Sequence, residues 1–339
     1  MGGFTLPAPR RARGGRPWSK SAPNPSLPSR GSNRHDRADP PARHFVGPGT
    51  TMEQHRGLRL AGRRGFSAPP PHSEPRLEVE FGQLSDRGRV RSQNEDFLGY
   101  TLPETPAEAR ARGWLFALAD GVGGHERGEV ASRAAVESLL AGFRQAPADE
   151  LPAALLGRLV QEANARVLET ALAAGSAAAG MSTTLVACLL RYDRAAIAHV
   201  GDSRCYLIRR GRATQLTRDH TVACEHIRLG LVSAEEALET RHLLSRSLGA
   251  DLFVGVETAE HALAAGDVLA LCSDGLHASL AGEDLARSVS EHANLTAAAQ
   301  TLVELANQRD GSDNISVQLI RIRSVERVGM YRGRPYRLR

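Results

Sequence analysis

Asp120 stands where a short apolar run, Trp114-Leu115-Phe116-Ala117-Leu118, meets the segment Gly121-Val122-Gly123-Gly124-His125. The run reads as a buried strand. A lone carboxylate leaving a strand enters a turn whose glycines tolerate positive φ and close backbone approach. It can then act together with backbone carbonyls, the oxygen donors that Mg²⁺ and Mn²⁺ prefer. Asp-Gly is also a common turn pair, so this position alone reads as a turn. The arrangement recurs, however. Asp274-Gly275 follows the strand-like run 267–273, Asp313-Asn314 precedes the alternating 315–320, Gly201-Asp202 ends 195–200, and Asn94-Glu95-Asp96 precedes 97–100. Carboxylates at the ends of strands that share one sheet system would converge. Converging carboxylates raise each other's pKa unless a cation neutralises them, so the pattern predicts a divalent-metal cluster.

Six segments then occur in order: Arg91-Ser-Gln-Asn94-Glu95-Asp96, Asp120-Gly-Val-Gly-Gly-His125, Gly180-Met-Ser-Thr-Thr184, Gly201-Asp202-Ser203-Arg204, Ser273-Asp274-Gly275-Leu276 and Ser312-Asp313-Asn314. Together they resemble the metal-dependent protein serine/threonine phosphatases of the protein phosphatase 2C (PPM) family. The Asp-Gly-x-Gly-Gly-His form is similar to the bacterial branch, whose members often oppose Ser/Thr kinases. The resemblance runs from about Glu78 to Ile322. It implies an α+β fold, an α/β/β/α sandwich of two antiparallel sheets flanked by helices. It also implies two Mn²⁺ or Mg²⁺ ions, a weaker third ion, and hydrolysis of phosphoserine and phosphothreonine by a metal-bridging hydroxide.

Carried over residue by residue, the resemblance makes Asp120 the bridge between the two core metals and the Gly121 carbonyl a ligand of the first. Asp274 and Asp313 would bind the second. Glu95 and Asp96 match acidic positions that contact metal-bound water or support the site. Arg91 matches the arginine that holds the substrate phosphate, and Asp202 a ligand of the third ion. Two positions depart from the pattern. Where animal enzymes often carry a His proposed as general acid this chain has Val122, and that role is not transferred to His125. Many relatives carry an Asp where this chain has Ala278, which leaves the third ion to bind more weakly, through water or a neighbour such as His277.

Read singly, several of these residues have ordinary roles: Arg91 as a surface ion-pair partner, Asp202 as a turn residue, His125 as a polar turn residue. His199, in an apolar strand, reads as a satisfied core histidine, and Glu225 and His226 as solvated. Ser182, Thr183 and Thr184 lack the surroundings of a nucleophilic triad.

The chain has 339 residues, of which about 245 are expected to build one domain. The first 76 are rich in Pro, Gly, Ser and Arg and read as a disordered basic segment. Met52 offers a later start. Residues 77–323 read as the phosphatase domain and 324–339 as a basic tail. Fourteen Lys and Arg against four Asp and Glu give 1–76 a charge of +10, and seven Arg against one Glu give 321–339 +6. With +5 overall, the stretch between them carries about −11, so a pI near 9.4 conceals an acidic domain. Basic tails invite contact with nucleic acid, but solvated tails are the favoured reading. No stretch approaches the roughly 20 apolar residues of a membrane span. The cysteines, 188, 205, 224 and 272, show no metal-type pairing and read as thiols in a reducing compartment, the cytoplasm.

Strands are expected at 77–84, 181–190, 195–200, 204–208 and 315–320, and helices at 128–143, 151–174, 282–289 and 295–307. The polar stretch 220–247, with a short helix at 234–239, is expected as a flap beside the cleft that carries recognition. The expected partners are phosphorylated proteins, including a Ser/Thr kinase and its substrates. Two further readings are a pseudophosphatase that only binds, and a phosphatase of a sigma-factor partner-switching system.

Overall fold

The structure, a computed structural model, describes residues 76–122, 127–175, 180–331 and 334–337. The N-terminal basic segment up to residue 75 and residues 123–126, with His125, lie outside the described residues.

Period-two alternation carries the architecture. In β3 (Trp114–Val122), Leu115, Ala117 and Ala119 face one core, while Phe116 and Leu118 face another. β5 (Leu185–Arg191) divides in the same way. Because successive side chains point to opposite faces, strands apolar on both faces must form an inner layer covered on each side.

One sheet runs β2 (Asp96–Thr101), β3, β5, β6 (Arg194–Val200), β9 (Glu257–Ala262), with β4 (Ser182–Thr183) paired to the end of β3. The other runs β1 (Glu78–Asp86), β11 (Ile315–Ser324), β10 (Val268–Cys272), β7 (Arg204–Arg209), β8 (Arg212–Gln215). Every pairing is antiparallel. α1 (Pro106–Ala111) links β2 to β3, and α2 (Gly128–Gln145) and α3 (Pro152–Ala174) cover the first sheet. α6 (Gly282–Glu291) and α7 (Leu295–Arg309) cover the second. A third core, including Phe116, Ile197, Leu269, Leu271 and Ile320, fills the space between the sheets. The α/β/β/α sandwich is the expected one.

Several local readings change. The strand expected at 181–190 breaks at Thr184, whose backbone N–H and hydroxyl both turn to Asp120. β9 was not anticipated, because its sequence Glu-Thr-Ala-Glu-His-Ala has little strand propensity. In the flap, a short 3-10 helix at Glu236–Thr240 replaces the helix at 234–239, and α4 (Val222–Arg228) is an addition. Thr221 caps α4 by accepting from Cys224 N–H, a signal legible in the sequence. Residues 324–339, read as a tail, include the end of β11 and a hairpin of β12 (Val328–Tyr331) and β13 (Arg334–Arg337).

Candidate active site

The connections at one end of the sandwich bring the acidic residues together. The loop from β1 to β2 leaves one sheet for the other and carries Arg91 and Glu95. The loop from β6 to β7 crosses back and carries Asp202. Asp96 and Asp120 are cross-strand partners on β2 and β3. Asp274 opens α5 (Asp274–His277) directly after β10, and Asp313 precedes β11. Arg91, Glu95, Asp120, Gly121, Asp202, Asp274 and Asp313 all line one cleft of about 270 Å³, together with Val122, Thr184, His242 and Leu244. Asp96 lies behind it, buried.

Neither Asp-Gly pair is the turn that the sequence suggested. β3 continues through Gly121 to Val122, and Asp274-Gly275 begins a helix. Neither glycine has positive φ. Each is required by close backbone approach: a Cβ on Gly121 would stand 2.2 Å from Gly128 O, and one on Gly275 2.2 Å from Asn314 O.

Neutral partners position the carboxylates. Thr184 Oγ1 accepts from Asp120 N–H at 3.0 Å, and Thr183 Oγ1 donates to Asp120 O at 2.8 Å. These threonines support Asp120 rather than act as nucleophiles. Ser273 Oγ donates to Asp96 Oδ2 at 2.8 Å, joining the two sheets. Asn314 Oδ1 accepts from Glu95 N–H, and its Nδ2 donates to Arg87 O and Gln93 O, which fixes the Arg91 loop. Arg91 Nη2 donates to Asp313 Oδ2 at 2.7 Å. These supports were not singled out from the sequence; only contacts distant along the chain reveal them.

The electrostatics are those of a carboxylate cluster that Arg91, paired with Asp313, offsets only at one edge. Burial, then the charges of Asp274 and Asp313 opposed by bonds from Ser316 and Ser273, leaves Asp96 at about 7. Burial and Asp274 push Asp202 to about 7. Burial, then Asp96, Asp274, Asp202 and Asp313, holds Asp120 well above the usual carboxylate range, and burial with Asp313 raises Asp274. Glu95 is raised chiefly by burial. Asp96 Oδ1 and Asp274 Oδ1 are buried without a hydrogen-bond partner among the described residues. Clustered, orphaned carboxylate oxygens fit hard divalent cations.

His277 does not fit the role of third-metal ligand. Its Nε2 sits 3.0 Å from the backbone oxygen of Asp202, and burial lowers its pKa to about 4, so the neutral ring donates there. His199 is a satisfied core residue, its Nε2 2.8 Å from Arg218 O. It stacks on His220 near Glu257. His220 Nδ1 accepts from Gly201 N–H and Glu257 is held by Arg218, so this triad reads as a hydrogen-bond network rather than a metal site.

A family model described as protein phosphatase 2C matches residues 92–309. The chain belongs to the protein phosphatase 2C family. It is similar to the serine/threonine phosphatase stp of Listeria innocua, 34% identical over 264 residues, which cover 76% of this chain and 99% of that protein. Among solved structures, the serine/threonine phosphatase of S. agalactiae superimposes with a TM-score of 0.65 at 31% identity, over 72% of this chain and all of that one. The catalytic domain of the phosphatase PstP, solved with two manganese ions, does so with a TM-score of 0.61 at 33% identity, over 73% and 99%. This phosphatase is therefore a metal-dependent hydrolase of phosphoserine and phosphothreonine in proteins. The pseudophosphatase reading gives way to that activity.

Proposed function

We propose that Asp120, the Gly121 carbonyl, Asp274 and Asp313 hold two Mn²⁺ or Mg²⁺ ions, with Glu95 and Asp96 supporting them and Asp202 serving a weaker third. The orphaned oxygens of Asp96 and Asp274 within one buried carboxylate cluster carry this reading. When bound, such ions supply an activated water nucleophile and neutralise phosphate charge. The side chains do the rest. Arg91 lines the cleft, and its bond to Asp313 uses one of the five donors of a guanidinium. The remaining fork can hold and orient phosphate oxygens. Thr183 and Thr184 fix Asp120, and Ser273 fixes Asp96. A phosphocysteine route lacks a nucleophile among the described residues. Burial pushes Cys188 and Cys272 up to about 12 and holds Cys205 well above the ordinary thiol range, and Cys224 does not line the cleft.

Residues 77–323 would form the catalytic domain, acting on a Ser/Thr kinase and its substrates in the cytoplasm. Four free cysteines are consistent with that compartment. Among the described residues no helix is long and apolar enough to cross a membrane.

The test is turnover of p-nitrophenyl phosphate and a phosphothreonine peptide by the full chain, titrated with Mn²⁺ and Mg²⁺ against EDTA. Metal-dependent turnover that Asp120→Ala abolishes without unfolding the protein is the expected result. A folded Asp120→Ala variant with full activity would refute the assignment.

A further inference from the structure

Hydrolysis of a phosphate ester puts negative charge on the ester oxygen as its bond to phosphorus breaks, and carboxylates cannot help that oxygen. Five of the side chains lining the cleft are the acids Glu95, Asp120, Asp202, Asp274 and Asp313. Among the described lining residues only Arg91 and His242 carry side-chain N–H groups. Thr184 has a hydroxyl, but it is engaged by Asp120 N–H at 3.0 Å and Ser203 Oγ at 2.7 Å. Arg91 is tied to the floor through its bond to Asp313. His242 stands at the mouth: it is exposed, whereas the five acids are buried or half-buried. A charge on it lowers the pKa of Asp274, so it lies near that carboxylate.

The ring is placed by its neighbours. Leu243 N–H donates to Thr240 O at 3.1 Å, Val222 N–H donates to Leu243 O at 2.7 Å, and Leu244 bridges to Thr221. Arg241 Nε donates to His242 Nε2 at 2.8 Å. With Nε2 accepting, the neutral ring carries its proton on Nδ1. That N–H has no partner among the described residues.

We propose that His242 is a catalytic residue whose Nδ1–H hydrogen-bonds the ester oxygen of the phosphoserine or phosphothreonine as it leaves. The inference rests on the catalytic reading above. In-line displacement puts the attacking water and the leaving oxygen on opposite sides of phosphorus. On that reading the water belongs to the acidic floor, so the ester oxygen is turned to the mouth, where His242 stands. The water oxygen bonds to phosphorus while the bond from phosphorus to the side-chain oxygen breaks. The electron pair stays on the side-chain oxygen, Nδ1–H stabilises it, and the proton lost by the water neutralises it. His242 itself ends unchanged. A neutral imidazole can serve as such a donor, and Arg91 is left to hold the non-bridging oxygens.

The experiment uses the full chain with Mn²⁺ and three probes: p-nitrophenyl phosphate, phenyl phosphate and a phosphothreonine peptide. p-Nitrophenolate leaves as a stable anion, phenolate less readily, and the threonine alkoxide least of all. In His242→Ala, kcat on the peptide should fall about 10²-fold, and the ratio of that kcat to the one on p-nitrophenyl phosphate at least about tenfold. Phenyl phosphate should fall between the two. His242→Asn, which places an amide N–H where Nδ1 stands, should recover most of the peptide rate. The position is exposed, so neither change empties a core site. A proportional loss on all three substrates, or a loss confined to KM, would overturn the proposal. So would His242→Asn no better than His242→Ala, which assigns proton transfer from a charged ring instead. Absence of p-nitrophenyl phosphate turnover by the parent removes the catalytic reading and this proposal together. Turnover by the parent with the ratios unchanged in His242→Ala removes only this proposal.

Discussion

Ser273 holds Asp96 from the opposite sheet, and its Oγ also accepts from Ser316 N–H at 2.9 Å. Ser273→Ala leaves a buried carboxylate and a buried N–H each short of a partner. Urea denaturation should show a loss of about 1–3 kcal/mol, with metal affinity weakened because Asp96 is harder to ionise. Arg91→Lys keeps a charge near Asp313 but loses the planar fork. Its kcat/KM on a phosphothreonine peptide should fall roughly 10–100-fold, mainly through KM. A fall confined to kcat would remove Arg91 from phosphate binding. Asp120, Asp274 and Asp313 were legible because each stands where an apolar strand pattern stops or, for Asp313, is about to start. Ser273, Thr184 and Asn314 were not, since a small polar residue declares its partner only when the chain has folded.

The flap hangs from the end of β6 through His220, which is wholly buried and whose Nδ1 accepts from Gly201 N–H at 3.2 Å. Burial, with His199 and Arg246 nearby, lowers its pKa from 6.5 to about 4. The folded state holds the neutral ring and the unfolded chain protonates first. The contribution to stability is therefore complete above pH 6.5 and is lost as pH falls from 6.5 towards 4. His277, also near 4, adds a similar dependence. Urea midpoints of the parent and of His220→Asn, compared at pH 7 and pH 5, should show a loss towards pH 5 that is larger in the parent, the carboxylate contributions common to both cancelling in the difference; an equal change in both would place the acid sensitivity elsewhere. Another anchor lies on α3, where Asn164 donates to Asp251 O and Leu252 O and accepts from Gly249 N–H. The helix itself was readable from its apolar spacing, but not that a polar residue on its buried face fastens a loop some 85 positions away.

Across the whole molecule, cations and protons compete for one cluster. Asp96 and Asp202 titrate near 7 rather than 3.8 without metal, so between those values the folded protein binds protons that the unfolded chain does not. These two carboxylates thus favour the metal-free fold as pH falls through 7 and oppose it most above 7. Mn²⁺ relieves the same repulsion where protons are absent. The rise in Tm produced by Mn²⁺ over EDTA should be larger at pH 8 than at pH 6, read by thermal unfolding; an equal rise at both would mean the carboxylates do not titrate as a metal-linked group.

The sequence by itself determined the layered architecture and the identity of the acidic residues. Period-two apolar runs must form covered sheets, and an ionised side chain interrupts the apolar pattern near the end of such a run, even where, as at Asp120, the strand continues past it. Tertiary structure alone decided that the loops crossing between sheets bring those ends to one cleft, and that backbone proximity rather than turn geometry requires Gly121 and Gly275. It also decided which carboxylate oxygens are left unpartnered and that the flap brings His242 and Leu244 to the cleft. Convergence, close approach and partnering depend on distances between segments far apart in the chain, and local patterning carries no record of them.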